Sequence, residues 1–370
     1  MGNLFFVFTP LQLFVAQQII RQERLVNNVM LKGYVSGNEH FLKVYEMMKI
    51  DELWQKEVFF DNLAKWNGDK ARSISDIIFT YSNFKKIKQI LKENNIKTIY
   101  LGEVLNQACR FSSVVFHRQG YKIAFFEEGT SHYVDRPYTP DKTLKHRAKI
   151  LMLDTFYFVP FYGVRFAEWN SSPNRPYDEL PMDVRFSIIP YHHKPFDKML
   201  HVEPMFSEKL KNFVLSNIKS EESEHRVMLM TDPLRELMPK EYLYLYFDTI
   251  RECIEGIDDN QFLYIKFHPR EIQSSRDKIL EIARESSKKF KVLSDEVNIC
   301  VEYYLQMFHF EKIFFFNAAT YFYNGYAFPK MDFVKLMPIV YKKCQEAGVK
   351  NLIYMENMLK VIAPDVLHQH

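Results

Sequence analysis

Short apolar runs alternate with helical periodicity through most of this chain, and the alternation restarts after a proline-rich middle. Leu4 to Phe8 reads as a strand broken by Thr9-Pro10. Leu11 to Arg21 then places Leu11, Phe14, Val15, Gln18 and Ile19 on one helical face. A strand at Val29–Tyr34, a helix through Phe41–Met48 and a lysine-rich amphipathic helix at Asn83–Glu93 follow. Next come a strand at Thr98–Leu101 ending at Gly102, a helix at Val104–His117, and a strand at Tyr121–Phe126 that stops at Glu127-Glu128-Gly129.

Residues 170 to 204 hold six prolines and little periodicity, which marks a linker and divides the chain into domains 1–200 and 201–370. Beyond a helix at Ser207–Ile218, strands are predicted at Arg226–Met230, Phe262–Phe267, Phe290–Leu293 and Lys312–Phe316. Helices are predicted near Tyr242–Cys253, Arg276–Ser286, Val301–Phe308 and after Asn317. Strands alternating with helices predict parallel sheets covered on both faces. The expected fold class is therefore α/β, with two Rossmann-like domains in tandem and a cleft between them.

Composition narrows the function. A length of 370 residues is too long for one ordinary core. Eleven glycines leave no room for a Gly-rich phosphate loop, and a net charge of +3 provides no basic stripe for nucleic acid. Aromatic content is high, with 33 Phe and 22 Tyr. The cysteines, Cys109, Cys253, Cys300 and Cys344, are far apart, as expected of reduced thiols in a cytoplasmic protein. No signal peptide and no spanning run of apolar residues is read. Between 142 and 166 a basic stretch runs into a very aromatic one. That segment suits either an anionic membrane surface or a helix buried in the N-terminal domain or in a homodimer contact.

Candidate chemistry gathers at predicted strand ends, where open α/β sheets bind ligands. Lys266-Phe267-His268-Pro269-Arg270 delivers two fixed cations and one titratable ring, a set suited to an anionic ligand such as phosphate. The alternative is two solvated cations and a histidine packed on proline. Glu127 and Glu128 are adjacent carboxylates; neighbouring charge and partial burial would raise one pKa toward that of a general base. Gly129 permits a sharp turn and close ligand approach. The plain reading is a helix N-terminus decorated with acids.

After the strand Lys312–Phe316, Asn317-Ala318-Ala319-Thr320 opens a helix whose N–H groups could hold a phosphate, or Asn317 could simply cap it. Glu302 could accept from ribose hydroxyls or lie on the surface, and Asp232 closes another loop on the same edge. No Asp-x-Asp and no Gly-x-Ser-x-Gly occurs, and His192-His193 lacks a zinc spacing, so no metal site is expected.

These motifs, taken in order, resemble bacterial sialyltransferases of the GT-B type, namely the lipooligosaccharide sialyltransferases of glycosyltransferase family 52 and the capsular polysialyltransferases. The resemblance lies in Phe126-Glu127-Glu128-Gly129-Thr130 and in Lys266-Phe267-His268-Pro269-Arg270. Phe8-Thr9-Pro10-Leu11-Gln12, Ile99-Tyr100-Leu101 and Val301 to Thr320 add to it. One departure is Asn317-Ala-Ala-Thr320, where related families carry a Ser/Thr pair at the phosphate.

The resemblance implies metal-independent, inverting transfer of sialic acid from CMP-sialic acid to a sugar hydroxyl of a cell-surface glycan, lipooligosaccharide or capsule. It requires no cofactor. It casts Glu127, or else Glu128, as base, and His268 helped by Lys266 as the group that assists CMP departure. Pro269, Arg270, Glu302, Asn317, Thr320 and Asp232 fall on the donor side in the C-terminal domain. Thr9, Pro10, Gln12, Gly102 and Gly129 fall on the acceptor side in the N-terminal one. The expected partners are a nucleotide-sugar donor and a glycan acceptor, at a cytoplasmic location or peripherally on the cytoplasmic face of the inner membrane. Alternatives are a GT-B transferase using another donor, CMP-Kdo or a CDP-polyol, and a non-catalytic nucleotide- or glycan-binding protein of capsule assembly.

Overall fold

A computed structural model describes residues 1–33, 41–60, 74–102, 107–127, 148, 151–165, 168, 180–189, 197–218, 225–233, 238–293, 297–350 and 352–365. The chain forms two compact units, Met1–His201 and Val202–His370. Each is built on an all-parallel sheet, so two α/β domains in tandem are present.

The first sheet has seven strands: β1 (Gly2–Val7), β2 (Asn28–Gly33), β3 (Lys56–Phe60), β4 (Ile96–Leu101), β5 (Lys122–Phe126), β6 (Val184–Ser187) and β7 (Asp197–Met199). Their spatial order is β3-β2-β1-β4-β5-β6-β7. β1 is buried along its whole length, as a central parallel strand covered on both faces must be. Helix α1 (Pro10–Gln22) follows it, with Thr9 capping the Gln12 N–H and Pro10 in the first turn, where no N–H is needed. Helices α2 (Phe41–Met48), α3 (Ile74–Glu93) and α4 (Gln107–Arg118) complete the regular part. Phe84 of α3 and Phe111 of α4 meet edge-on at 4.8 Å in the core.

The proline-rich stretch read as a linker is partly sheet. Asp183 accepts the Ile123 N–H at 2.7 Å, which pins the start of β6 against β5. Arg185 and Asp197 pair at 2.6 Å with both side chains largely buried, joining β6 to β7. The far edge is strapped to the end of α1: Gln22 donates to the Met199 carbonyl at 3.1 Å and accepts from the His201 N–H at 2.8 Å. Lys198 pairs with Glu23 at 2.7 Å beside this strap.

The 151–162 segment is a helix with one face in the core, through Leu153, Tyr157, Phe158 and Tyr162. Its middle, Asp154–Phe158, is wound as a π-helix, with the Val159 N–H reaching back to Asp154. Pro160 lacks an N–H, which removes one ordinary helical bond here. Gly163, at φ 69°, ends the helix.

The second sheet comprises β8 (Arg226–Met230), β9 (Phe262–Lys266), β10 (Phe290–Val292), β11 (Lys312–Phe315) and β12 (Asp332–Lys335), in the order β10-β9-β8-β11-β12. Helices Leu243–Glu255, Gln273–Glu285 and Met337–Glu346 supply much of its core. Both sheets have the doubly wound pattern. Strand order reverses between β1 and β4 in the first and between β8 and β11 in the second. Ligands in such sheets bind outside the carboxyl ends of the strands at that reversal.

Candidate active site

In the second unit, the candidate residues converge on that carboxyl edge. β8 delivers Thr231 and Asp232, β9 ends on Lys266, and β11 leads into Asn317 and Thr320. β8 and β9 pair through Met230–Lys266, and the Thr231 N–H donates to the Lys266 carbonyl at 3.1 Å.

His268 stands at the centre of a held turn. Its own N–H donates to Thr231 Oγ1 at 3.0 Å, and the Glu271 N–H donates to its carbonyl at 2.9 Å. The Arg270 N–H donates to Nδ1 at 3.1 Å, which makes Nδ1 an acceptor and leaves Nε2 as the protonated nitrogen of a neutral ring. Burial, followed by the charges of Arg270, Lys266 and Arg276, lowers the imidazole pKa to about 3. The ring is thus a neutral N–H donor in a positive field. Pro269 is half-buried and Arg270 exposed.

Lys266 is buried rather than solvated, and its ammonium donates to Asn298 Oδ1. Asn298 in turn donates to the Phe267 carbonyl at 3.1 Å, so one side chain fixes both the lysine and the strand exit toward His268. Glu302 is 3% exposed and accepts from Thr320 Oγ1 at 2.7 Å. Burial holds its pKa above the usual carboxylate range, against the pull of Thr320 and Lys266. Glu302 is therefore an interior residue that orients Thr320, not a surface glutamate.

Two readings of the 317–320 stretch are corrected. The helix Ala319–Phe322 is a single turn, too short to gather an appreciable macrodipole. Its cap position is Ala318 with no side-chain cap bond, so Asn317 does not cap it. Asp232 is buried beside a second carboxyl group, Glu271; the Tyr246 hydroxyl lies 3.4 Å from both the Asp232 N–H and Glu271 Oε2. Burial raises the Glu271 pKa, opposed by hydrogen bonds from Thr231, Ser275 and Tyr246. Arg276 donates to the Glu271 carbonyl at 2.9 Å and lies over the Phe267 ring at 5.2 Å. Thr231, Asn298, Glu271 and Arg276 were missed in the sequence; only Thr231, at a strand end beside Asp232, carried a positional signal.

In the first unit, Thr9, Pro10, Gln12, Gly102 and Glu127 lie at the carboxyl edge of β1, β4 and β5. Gln12 is fully buried and accepts the Phe8 N–H at 2.6 Å, so its amide oxygen serves the turn itself. Gly102 is needed for packing: a Cβ there would sit 2.6 Å from Gln12 Cδ and 2.8 Å from Phe126 Cε2. Glu127 is fully buried; its Oε2 accepts the Ile188 N–H at 2.7 Å and its N–H donates to the Phe186 carbonyl at 3.2 Å. The loop after β6 thus fixes the carboxylate. Glu128, Gly129, the basic residues 142–147 and Lys149, and His192-His193 lie outside the described residues.

No group of three or more His, Cys, Asp or Glu side chains placed to hold a metal occurs among the described residues. Among them too, no helix is long and apolar enough to cross a membrane.

No curated protein matches the chain. Similar solved structures include the S. aureus MnaA–UDP complex, at 11% identity and TM-score 0.45, covering 97% of this chain and 91% of that one. A UDP-glucosyltransferase from Polygonum tinctorium is similar at 8% identity and TM-score 0.44, covering 99% and 90%. Acinetobacter baumannii MurG is similar at 8% identity and TM-score 0.42, covering 100% and 95%. At family level, the model of the alpha-2,8-polysialyltransferases (POLYST) matches residues 3–322, both motif-bearing units included, and the chain belongs to that family of sialic acid-transferring glycosyltransferases.

Proposed function

We propose that the protein transfers sialic acid from CMP-sialic acid to a sugar hydroxyl with inversion at the anomeric carbon and without metal. The family supports α2,8 linkage, for which the acceptor hydroxyl is the 8-OH of a terminal sialic acid. Glu127 is the base. It takes the proton of the acceptor hydroxyl as the new glycosidic bond forms, while the bond from the anomeric carbon to the CMP phosphate oxygen breaks.

The observation that carries this reading is the state of His268. A neutral ring held by Arg270 N–H at Nδ1 presents Nε2–H as a donor, and Lys266, Arg270 and Arg276 add positive field. Negative charge grows on the departing phosphate in the transition state, so a prearranged donor and field stabilise that state more than the ground state. Thr320 lies on the same edge with its hydroxyl proton on Glu302, and would serve a phosphate once that proton is turned from Glu302 to the ligand. Donors such as CMP-Kdo or a CDP-polyol would meet the same cationic strand end and are distinguished by assay.

The test is CMP release from CMP-sialic acid in EDTA, with and without an oligosialic acceptor, for wild type, Glu127→Gln and His268→Ala. Acceptor-stimulated release that survives EDTA and falls in both variants is expected. No release from this donor, with release from CMP-Kdo or a CDP-polyol, would replace the donor assignment. Full activity in Glu127→Gln would move the base to Glu128.

A further inference from the structure

The 151–162 helix presents an outward face that is apolar apart from Thr155, where a solvated amphipathic helix carries mostly polar residues. Phe156 is 73% exposed and Leu151 68%, and Met152, Val159 and Phe161 are also exposed. The inner face packs in the domain core, while the outer one is apolar but for Thr155 and is left exposed apart from the contact of Phe161 with Tyr81. Contiguous exposed apolar surface of this kind marks an interaction site.

Its surroundings are cationic. The Phe161 ring lies 5.2 Å from that of Tyr81 on α3. One turn further along α3, on the same side as Tyr81, comes exposed Lys85, followed by Lys86 and Lys88. In sequence alone, Lys142, Lys145, Arg147 and Lys149 precede the helix, which carries one acidic residue, the half-buried Asp154. Arg165 lies exposed just past the other end.

We infer that this face docks the protein on an anionic lipid surface, with Leu151, Met152, Phe156, Val159 and Phe161 entering the headgroup–acyl boundary and the lysines of α3 meeting lipid phosphates. An apolar helix face flanked by Lys and Arg is the pattern of an interfacial helix. Each cation near an anionic surface adds attraction that salt screens. A second copy of the chain is a poorer occupant. A two-fold contact through this patch would set the lysine-rich flank of one copy beside that of the other. The five apolar side chains carry no hydrogen-bonding group and the Thr155 hydroxyl is turned back on the Leu151 carbonyl, so little there fixes a register, which a fluid bilayer does not require.

The test is flotation of the full chain with phosphatidylcholine vesicles, with and without phosphatidylglycerol, at low and high salt. The variants are Leu151→Glu with Phe156→Glu, and Lys85→Glu with Lys88→Glu, each checked for an unchanged melting temperature. Because the four positions are exposed, both variants are expected to fold and to keep transfer activity on a soluble acceptor. Expected is binding to the anionic vesicles that high salt weakens and that falls by about tenfold or more in either variant. Absence of binding to anionic vesicles would overturn the inference, as would equal binding by wild type and Leu151→Glu with Phe156→Glu. Self-association of the wild type that is lost in that variant would overturn it too, assigning the face to a second copy.

Discussion

The backbone N–H of Arg270 donates to Nδ1 of His268 at 3.1 Å, so a residue two positions along the chain sets the tautomer of the ring. Protonating Nδ1 would bury a charge, break that bond and place a fourth cation beside Arg270, Lys266 and Arg276. This explains why the site keeps the imidazole neutral.

A pH dependence of stability follows. The folded-state pKa of His268, about 3, lies below its ordinary value of 6.5. Between those values the unfolded chain binds the extra proton and the folded one does not. The contribution is complete above about pH 6.5 and is lost as the pH falls toward about 3, with a slope of at most about 1.4 kcal/mol per pH unit. Denaturant unfolding of wild type and His268→Gln from pH 7 to pH 4 should therefore show a shallower decline in the variant. Parallel curves would show that His268 titrates near its ordinary value.

Glu127→Gln should separate chemistry from structure. A glutamine oxygen can still accept the Ile188 N–H, so the melting temperature should change little. Removing the proposed base should lower kcat by roughly 10²–10⁴-fold. A large fall in melting temperature together with activity would make Glu127 a structural residue, with the base elsewhere.

Asn298 is predicted to matter without touching substrate. Asn298→Ala removes an acceptor from the buried Lys266 ammonium and a donor from the Phe267 carbonyl. The expected cost is about 1–3 kcal/mol, read as a lower denaturant midpoint. Asn298→Asp, which keeps the acceptor and adds a charge for Lys266, should recover part of that lost stability. No recovery would argue that Asn298 acts through packing alone.

Gly102→Ala places a methyl group against Gln12 and Phe126. Gln12 is held by the Phe8 N–H and cannot swing aside without losing that bond. Destabilisation of about 1–3 kcal/mol is expected from such overpacking, measurable by thermal melting. Gly102→Ala combined with Gln12→Ala, which clears the space, should be less affected by the glycine change than wild type is.

The alternating strands and helices gave both parallel sheets their central members, because β1, β4, β5, β8 and β9 are buried on both faces and read as continuous apolar runs. Strands at a sheet edge or next to one were harder. β7 is Asp197–Met199, three residues with little apolar signal, and β6 starts two residues after Pro181-Met182, so both fell inside a stretch that resembles a linker. β3 and β12 are likewise edge strands and were not anticipated. At the site, residue types at strand ends were legible, whereas their orientation was not. Lys266 and Glu302 read equally well as solvated charges. Only the fold reveals that Asn298 and Thr320 hold them inside.

The strap between α1 and β7 also sets how far the first sheet can extend. An open parallel edge would invite another chain to add a strand. Here the last strand is three residues long, and the Met199 carbonyl and His201 N–H are already engaged by the two ends of one amide, that of Gln22. A glutamine thus acts as a partial terminus for the ladder, engaging on this side one carbonyl and one N–H that a neighbouring strand would otherwise seek.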